Sequence, residues 1–117
     1  LEVEARLKLE QELLHALRKR ELTLFYQPQY DIKRRKVIGA EALLRWNNEL
    51  LGAVSPDEFI SIAEETGIII GIGYFVFEEA CKAYMEWKKQ GMEIGSISIN
   101  ISSIQFRADN IFQKLEK

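Results

Sequence analysis

The chain has 117 residues, of which 47% are hydrophobic and 29% charged, an ordinary globular composition rather than a disordered or fibrous one. Its net charge of -2 argues against a nucleic-acid binder that works through bulk electrostatics, so no nucleic-acid polymer is expected as a partner. The longest apolar run, near residues 67–77, is interrupted by Gly71 and Gly73 and falls short of a membrane span, and the charged opening at residues 1–20 is unlike a signal peptide. Cys81 is the single cysteine and permits no internal disulfide, which suits a reducing compartment. A cytoplasmic domain is therefore expected, in a parent protein that is either free or membrane-tethered. A helical pattern is already under way at Leu1 and another at Lys117, so the chain reads as a segment of a longer protein.

Residues 1–20 form a charged helix in which Val3, Leu7, Leu14 and Leu17 fall near one stripe, broken by Glu10. His15 within it reads as structural or solvated. Residues 22–30 (LTLFYQPQY) are rich in strand formers. Pro28 cannot donate to a ladder, so this strand should end there or lie at an edge. A basic turn follows at 31–36, and residues 37–46 form the next strand; the short connection favours an antiparallel hairpin.

Ser55, Pro56 and Glu58 mark a helix start with an expected capping box. Phe59, Ile60 and Ala63 supply its buried stripe, and Gly67 its C-cap. A second helix is expected over 71–90, with Ile72, Val76, Ala80, Ala83 and Trp87 at helical spacing and Gly91 at its end. Cys81 lies in this helix and reads as core or lining rather than reactive. Residues 94–102 (IGSISINIS) alternate, with Ile97, Ile99 and Ile101 on one face and Ser96, Ser98, Asn100 and Ser102 on the other. Ile104, Phe106, Ile111, Phe112 and Leu115 suggest a further helix.

The order helix, strand, strand, helix, helix, strand predicts an α/β fold: the opening half of a TIM-like (β/α) barrel preceded by an N-terminal helix. A full barrel needs about 250 residues. The isoleucine face of 94–102 would meet the helices, and the Ser/Asn face would look into the barrel.

The stretch 39–46 reads GAEALLRW, and strand alternation puts Glu41, Leu43 and Arg45 on one face. Glu41 and Asn100 offer oxygen ligands suited to a hard cation such as Mg²⁺ or Mn²⁺. Arg45 lies about 13 Å further along an extended strand, too far to share the ion but able to hold a phosphate that the ion touches. Gln27 adds an amide to the same mouth. Metal, Arg and amides together suggest phosphate-ester chemistry. The competing reading is a buried pair of Glu41 with Arg45 or a lysine, and a merely hydrogen-bonded Asn100.

Tyr26-Gln27-Pro28, GAEALLRW at 39–46, Ser55-Pro56 with Phe59-Ile60, AEETG at 63–67, and Asn100-Ile101-Ser102 with Gln105-Phe106 together resemble the N-terminal half of an EAL domain, the bacterial cyclic di-GMP phosphodiesterase module. The resemblance implies that residues 21–117 are that half-domain and that residues 1–20 are an N-terminal or linker helix. It implies Glu41 and Asn100 as metal ligands, and Gln27 and Arg45 as substrate-binding residues. The implied reaction is Mg²⁺- or Mn²⁺-dependent hydrolysis of cyclic di-GMP to linear pGpG. Further family ligands belong to later strands, so these 117 residues alone should be inactive. The alternative is a degenerate EAL domain that binds cyclic di-GMP or a partner protein without turnover. A diguanylate cyclase-like (GGDEF) or sensor domain upstream is expected, as is homodimer or edge pairing of the half-barrel. The family often has His-Pro where this chain has Asn48-Glu49, and often Gly where it has Arg35.

Overall fold

A computed structural model of the chain describes residues 2–99. The elements are α1 (Glu2–Ala16), β1 (Leu22–Asp31), β2 (Lys36–Asn48), β3 (Gly52–Val54), α2 (Pro56–Thr66), α3 (Ile69–Lys89) and β4 (Ser96–Ile99). The expectations for Asn100, Ile101, Ser102 and the helix after Ile104 lie outside the described residues.

Strand β2 organises the sheet. Antiparallel β1 covers one edge along its length, from Leu22 opposite Trp46 to Asp31 opposite Lys36. Along the other edge, parallel β4 pairs with Gly39 to Ala42 and antiparallel β3 with Trp46 to Asn48. The expected hairpin is present, and among the described residues β1 is an edge strand, which is where Pro28 is tolerated. The strand runs on to Asp31 through a bulge between Gln29 and Tyr30. In the turn, Asp31 Oδ1 accepts from the backbone N–H of Lys33 (2.9 Å) and Arg34 (3.2 Å). Arg35 takes φ 53°, the left-handed conformation that glycine adopts freely and another residue takes at about 1 kcal/mol. The short strand β3 was not foreseen from the sequence.

The helices gather on one face of the sheet. Leu44 and Trp46 of β2 join Leu22, Phe59, Ile60, Ile62, Ala63, Ile69, Ile72 and Val76 in a single buried cluster. Trp46 and Phe59 meet edge to face, with centroids 5.5 Å apart. Tyr26 and Trp87 do the same at 4.9 Å, tying β1 to α3.

Helix α1 joins this core through Leu9, Leu13 and Ala16, not through the expected stripe: Val3, Leu7 and Leu14 are exposed, and Leu17 is partly buried. Leucines occur on several sides of α1, so only its docking on α2 and β2 selects the buried side. Arg6 on α1 pairs with Glu65 on α2. Helix α2 starts at Pro56 and is closed by Gly67 at φ 83°, as expected, but the capping box does not form. The Ser55 hydroxyl makes no cap bond; its carbonyl accepts from the N–H of Glu58 (3.0 Å) and Phe59 (3.1 Å). Cys81 is exposed rather than part of the core, because it lies on the side of α3 away from Ile72, Val76 and Ala80.

Candidate functional site

The face of β2 away from the helices carries the candidate site. Ala40, Ala42, Leu44 and Trp46 are buried, while Glu41, Leu43 and Arg45 alternate with them and are half-buried. Residues directly opposite in a ladder project to the same face. The register therefore sets Gln27, Glu41 and Ser98 in one row across β1, β2 and β4. One step along lies Phe25 beside Leu43, and one step further Thr23 beside Arg45. Strand geometry puts these rows about 7 Å apart. The structure thus brings Gln27, Glu41 and Arg45 onto one surface. Asn100 lies outside the described residues.

Below the Glu41 row the strands close in on Gly39. A Cβ there would stand 3.0 Å from the Ser96 carbonyl oxygen and 2.9 Å from Gln29 Oε1. The glycine that opens GAEALLRW thereby lets β4 lie alongside β2 and sets Ser98 against Glu41.

Glu41 makes no ion pair among the described residues, whose pairs are Arg6 with Glu10 and Glu65, Arg34 with Asp31, and Lys82 with Glu78. Arg45 Nη1 donates instead to the Leu44 carbonyl at 3.1 Å, and its guanidinium carbon lies 5.8 Å from the centroid of the Phe25 ring. The alternative of a structural Glu41–Arg45 pair is therefore not what these side chains form. Carboxylate oxygens such as those of Glu41 are a donor type that fits a hard cation such as Mg²⁺ or Mn²⁺. No group of three or more His, Cys, Asp or Glu stands together among the described residues.

Phe25 and Ser98 share this surface and were not foreseen as site residues. The alternation of IGSISINIS pointed to the Ser98 face, but its register against Glu41 is a tertiary fact. Phe25 sits two residues before Gln27, and the same alternation would have placed it there.

A second polar cluster braces the upper end of β2. Asn48 is buried; its Nδ2 donates to Glu12 Oε1 (3.0 Å) and Glu21 Oε1 (3.1 Å), and its Oδ1 accepts from Leu50 N (3.0 Å) and Leu51 N (2.9 Å). Trp46 Nε1 donates to the same Glu21 oxygen at 2.9 Å.

Residues 10–117 match the profile of the EAL domain. The chain belongs to the EAL domain family. It is 40% identical to the oxygen sensor protein DosP of Escherichia coli strain K12 over 109 residues, which is 93% of this chain and 14% of DosP. It is 40% identical over 100 residues to the bifunctional diguanylate cyclase/cyclic di-GMP phosphodiesterase MucR of Pseudomonas aeruginosa PAO1, covering 86% of this chain and 15% of MucR. The EAL chain thus spans about one seventh of the length of these curated relatives. Among solved structures it resembles the PaMucR phosphodiesterase in complex with c-di-GMP, with TM-score 0.79 and 39% identity over 85% of this chain and 40% of that one. It also resembles the EAL enzyme Bd1971 in its cAMP- and cyclic-di-GMP-bound form, with TM-score 0.79 and 33% identity over 99% of this chain and 33% of that one.

Proposed function

We propose that this chain contributes the first metal-binding and phosphate-binding strands of a cyclic di-GMP phosphodiesterase built as a TIM-like (β/α) barrel, which cleaves one phosphodiester to give linear pGpG. The observation that carries this reading is the row of Gln27 and Glu41 on the open face of β2, with the Glu41 carboxylate in no ion pair among the described residues and Arg45 two rows away. Membership of the EAL domain family and the likeness to a phosphodiesterase solved with c-di-GMP support it.

Glu41 and Asn100 would hold Mg²⁺ or Mn²⁺, with further ligands from residues beyond this chain. The bound cation would activate water and stabilise charge developing on phosphate oxygen. Arg45 presents a planar fork that matches two phosphate oxygens and orients the ester for attack. Gln27 adds an amide that donates to, or accepts from, the dinucleotide beside Glu41. By itself the 117-residue chain lacks a full ligand set and is inactive under this proposal. In the full-length protein a sensor or diguanylate cyclase-like domain would precede it, as the names of DosP and MucR suggest.

The test is turnover in the full-length protein. Cyclic di-GMP is incubated with Mg²⁺ or Mn²⁺ beside a Glu41→Ala variant, and linear product is followed by chromatography. Product formation that falls by more than about 100-fold in the folded variant supports the reading. No turnover by the folded wild type moves the function to ligand binding or protein interaction without hydrolysis.

A further inference from the structure

We infer that Phe25 is a base-stacking residue of this site, its ring receiving the flat face of one purine of the dinucleotide; the inference rests on the proposed function. Among the described residues Phe25 is 59% exposed on the site face. The ring aromatics that pack against the helices have ring partners: Tyr26 meets Trp87, and Trp46 meets Phe59. Phe25 meets instead the Arg45 guanidinium at 5.8 Å, and lies opposite Leu43.

The position suits a nucleotide. Phe25 stands one row from Gln27 and Glu41, and one row from Arg45. The proposed ion and the phosphate-binding fork thus flank an exposed aromatic surface about 7 Å from each. A cyclic dinucleotide whose phosphates reach Arg45 and the Glu41 ion must set its bases beside those phosphates. A purine laid on Phe25 would have a π-face below it and the Leu43 side chain beside it. Arg45, already directed toward the ring, can turn its edge to the base or phosphate without leaving the cluster. Stacking of a base on an aromatic side chain contributes enough that its removal weakens binding by roughly 5- to 150-fold.

The discriminating variants are Phe25→Leu, which keeps apolar bulk but removes the ring, and Phe25→Tyr, which keeps the ring. In the full-length protein, stacking predicts that F25L raises the KM for cyclic di-GMP about tenfold, with kcat within about threefold and the melting temperature unchanged. F25Y should keep a KM near that of the wild type. A third variant, Phe25→Trp, reads the contact directly: cyclic di-GMP should quench its added indole fluorescence, beyond any change in the wild type. A wild-type KM in F25L overturns the inference, as does an equal loss in F25L and F25Y, or an F25W protein that binds ligand with no change in emission. A wild type that neither binds nor hydrolyses cyclic di-GMP overturns the underlying reading and the stacking role with it, and so is distinguished from failure of Phe25 alone.

Discussion

Gln27 on β1 stands directly opposite Glu41 on β2, and the antiparallel pairing delivers the amide and the carboxylate to one face of the sheet. Gln27 is exposed there and is not part of the core, and under the proposed function it contacts the dinucleotide. Gln27→Ala in the full-length protein should raise the KM for cyclic di-GMP by about 3- to 10-fold, the worth of one hydrogen bond, with a smaller change in kcat and no change in melting temperature. Steady-state kinetics beside a thermal melt check both halves of this expectation.

Asn48 takes part in four hydrogen bonds that join α1, the approach to β1 and the turn before β3. It is 5% exposed, so water does not replace these partners when the amide is removed. Asn48→Ala should destabilise the domain by about 2 kcal/mol, read as a shift of the urea unfolding midpoint at constant slope. An unchanged midpoint would show that the turn and α1 hold without it.

The same amide makes the fold sensitive to acid. The hydrogen bond from Asn48 holds the Glu12 carboxyl below the usual carboxylate range; desolvation works against this, and Lys19, Lys8 and His15 add to it. With a folded value lower than the unfolded one, the stabilisation is present above the ordinary carboxylate range and is lost as pH falls through the folded value. Glu12→Gln keeps an acceptor for Asn48 but removes the titration. Its melting temperature should fall less than that of the wild type between neutral pH and the acid side of the carboxylate range. Parallel pH dependences would overturn the assignment.

A side chain at Gly39 of β2 would crowd both the β4 backbone and the Gln29 side chain of β1. Gly39→Ala sets a methyl 3.0 Å from a backbone oxygen that can move only with its strand, whereas the Gln29 side chain can swing aside. We expect a destabilisation of about 1–3 kcal/mol. Because the same shift displaces Ser98 from Glu41, cation-dependent turnover of the full-length protein should fall along with the urea midpoint.

The outer edge of β1 is unpaired among the described residues, and Tyr30 and Ile32 are exposed beside it at the hairpin end. Open edges with apolar side chains invite pairing with another chain. The 117-residue chain alone should therefore show an apparent mass above the monomer by light scattering, rising with concentration. A monodisperse monomer across a wide range would argue that the edge is protected.

Much of this domain is local in origin and was legible in the residues. Two runs of strand formers with a short polar connection fold back as a hairpin. The period of two by itself places Glu41 and Arg45 on one face, because backbone sterics alternate side chains whatever the strand packs against. Ser55-Pro56 and Gly67 bounded α2 for the same reason, since φ preferences act within a few residues. The ordered motifs also identified the family. Tertiary structure decided the rest. Register is a long-range property, so only the folded sheet sets Ser98 and Gln27 on either side of Glu41. Helix α1 has leucines on several sides, and docking alone chose Leu9, Leu13 and Ala16 over Val3, Leu7 and Leu14. Sequence left Glu41 with two fates, a structural ion pair or a free ligand. Only the folded sheet turns Arg45 toward the Phe25 ring and the Leu44 carbonyl, partners that lie next to it on the strand and across the ladder, so the Glu41–Arg45 pair does not form and the ligand role is the one we propose.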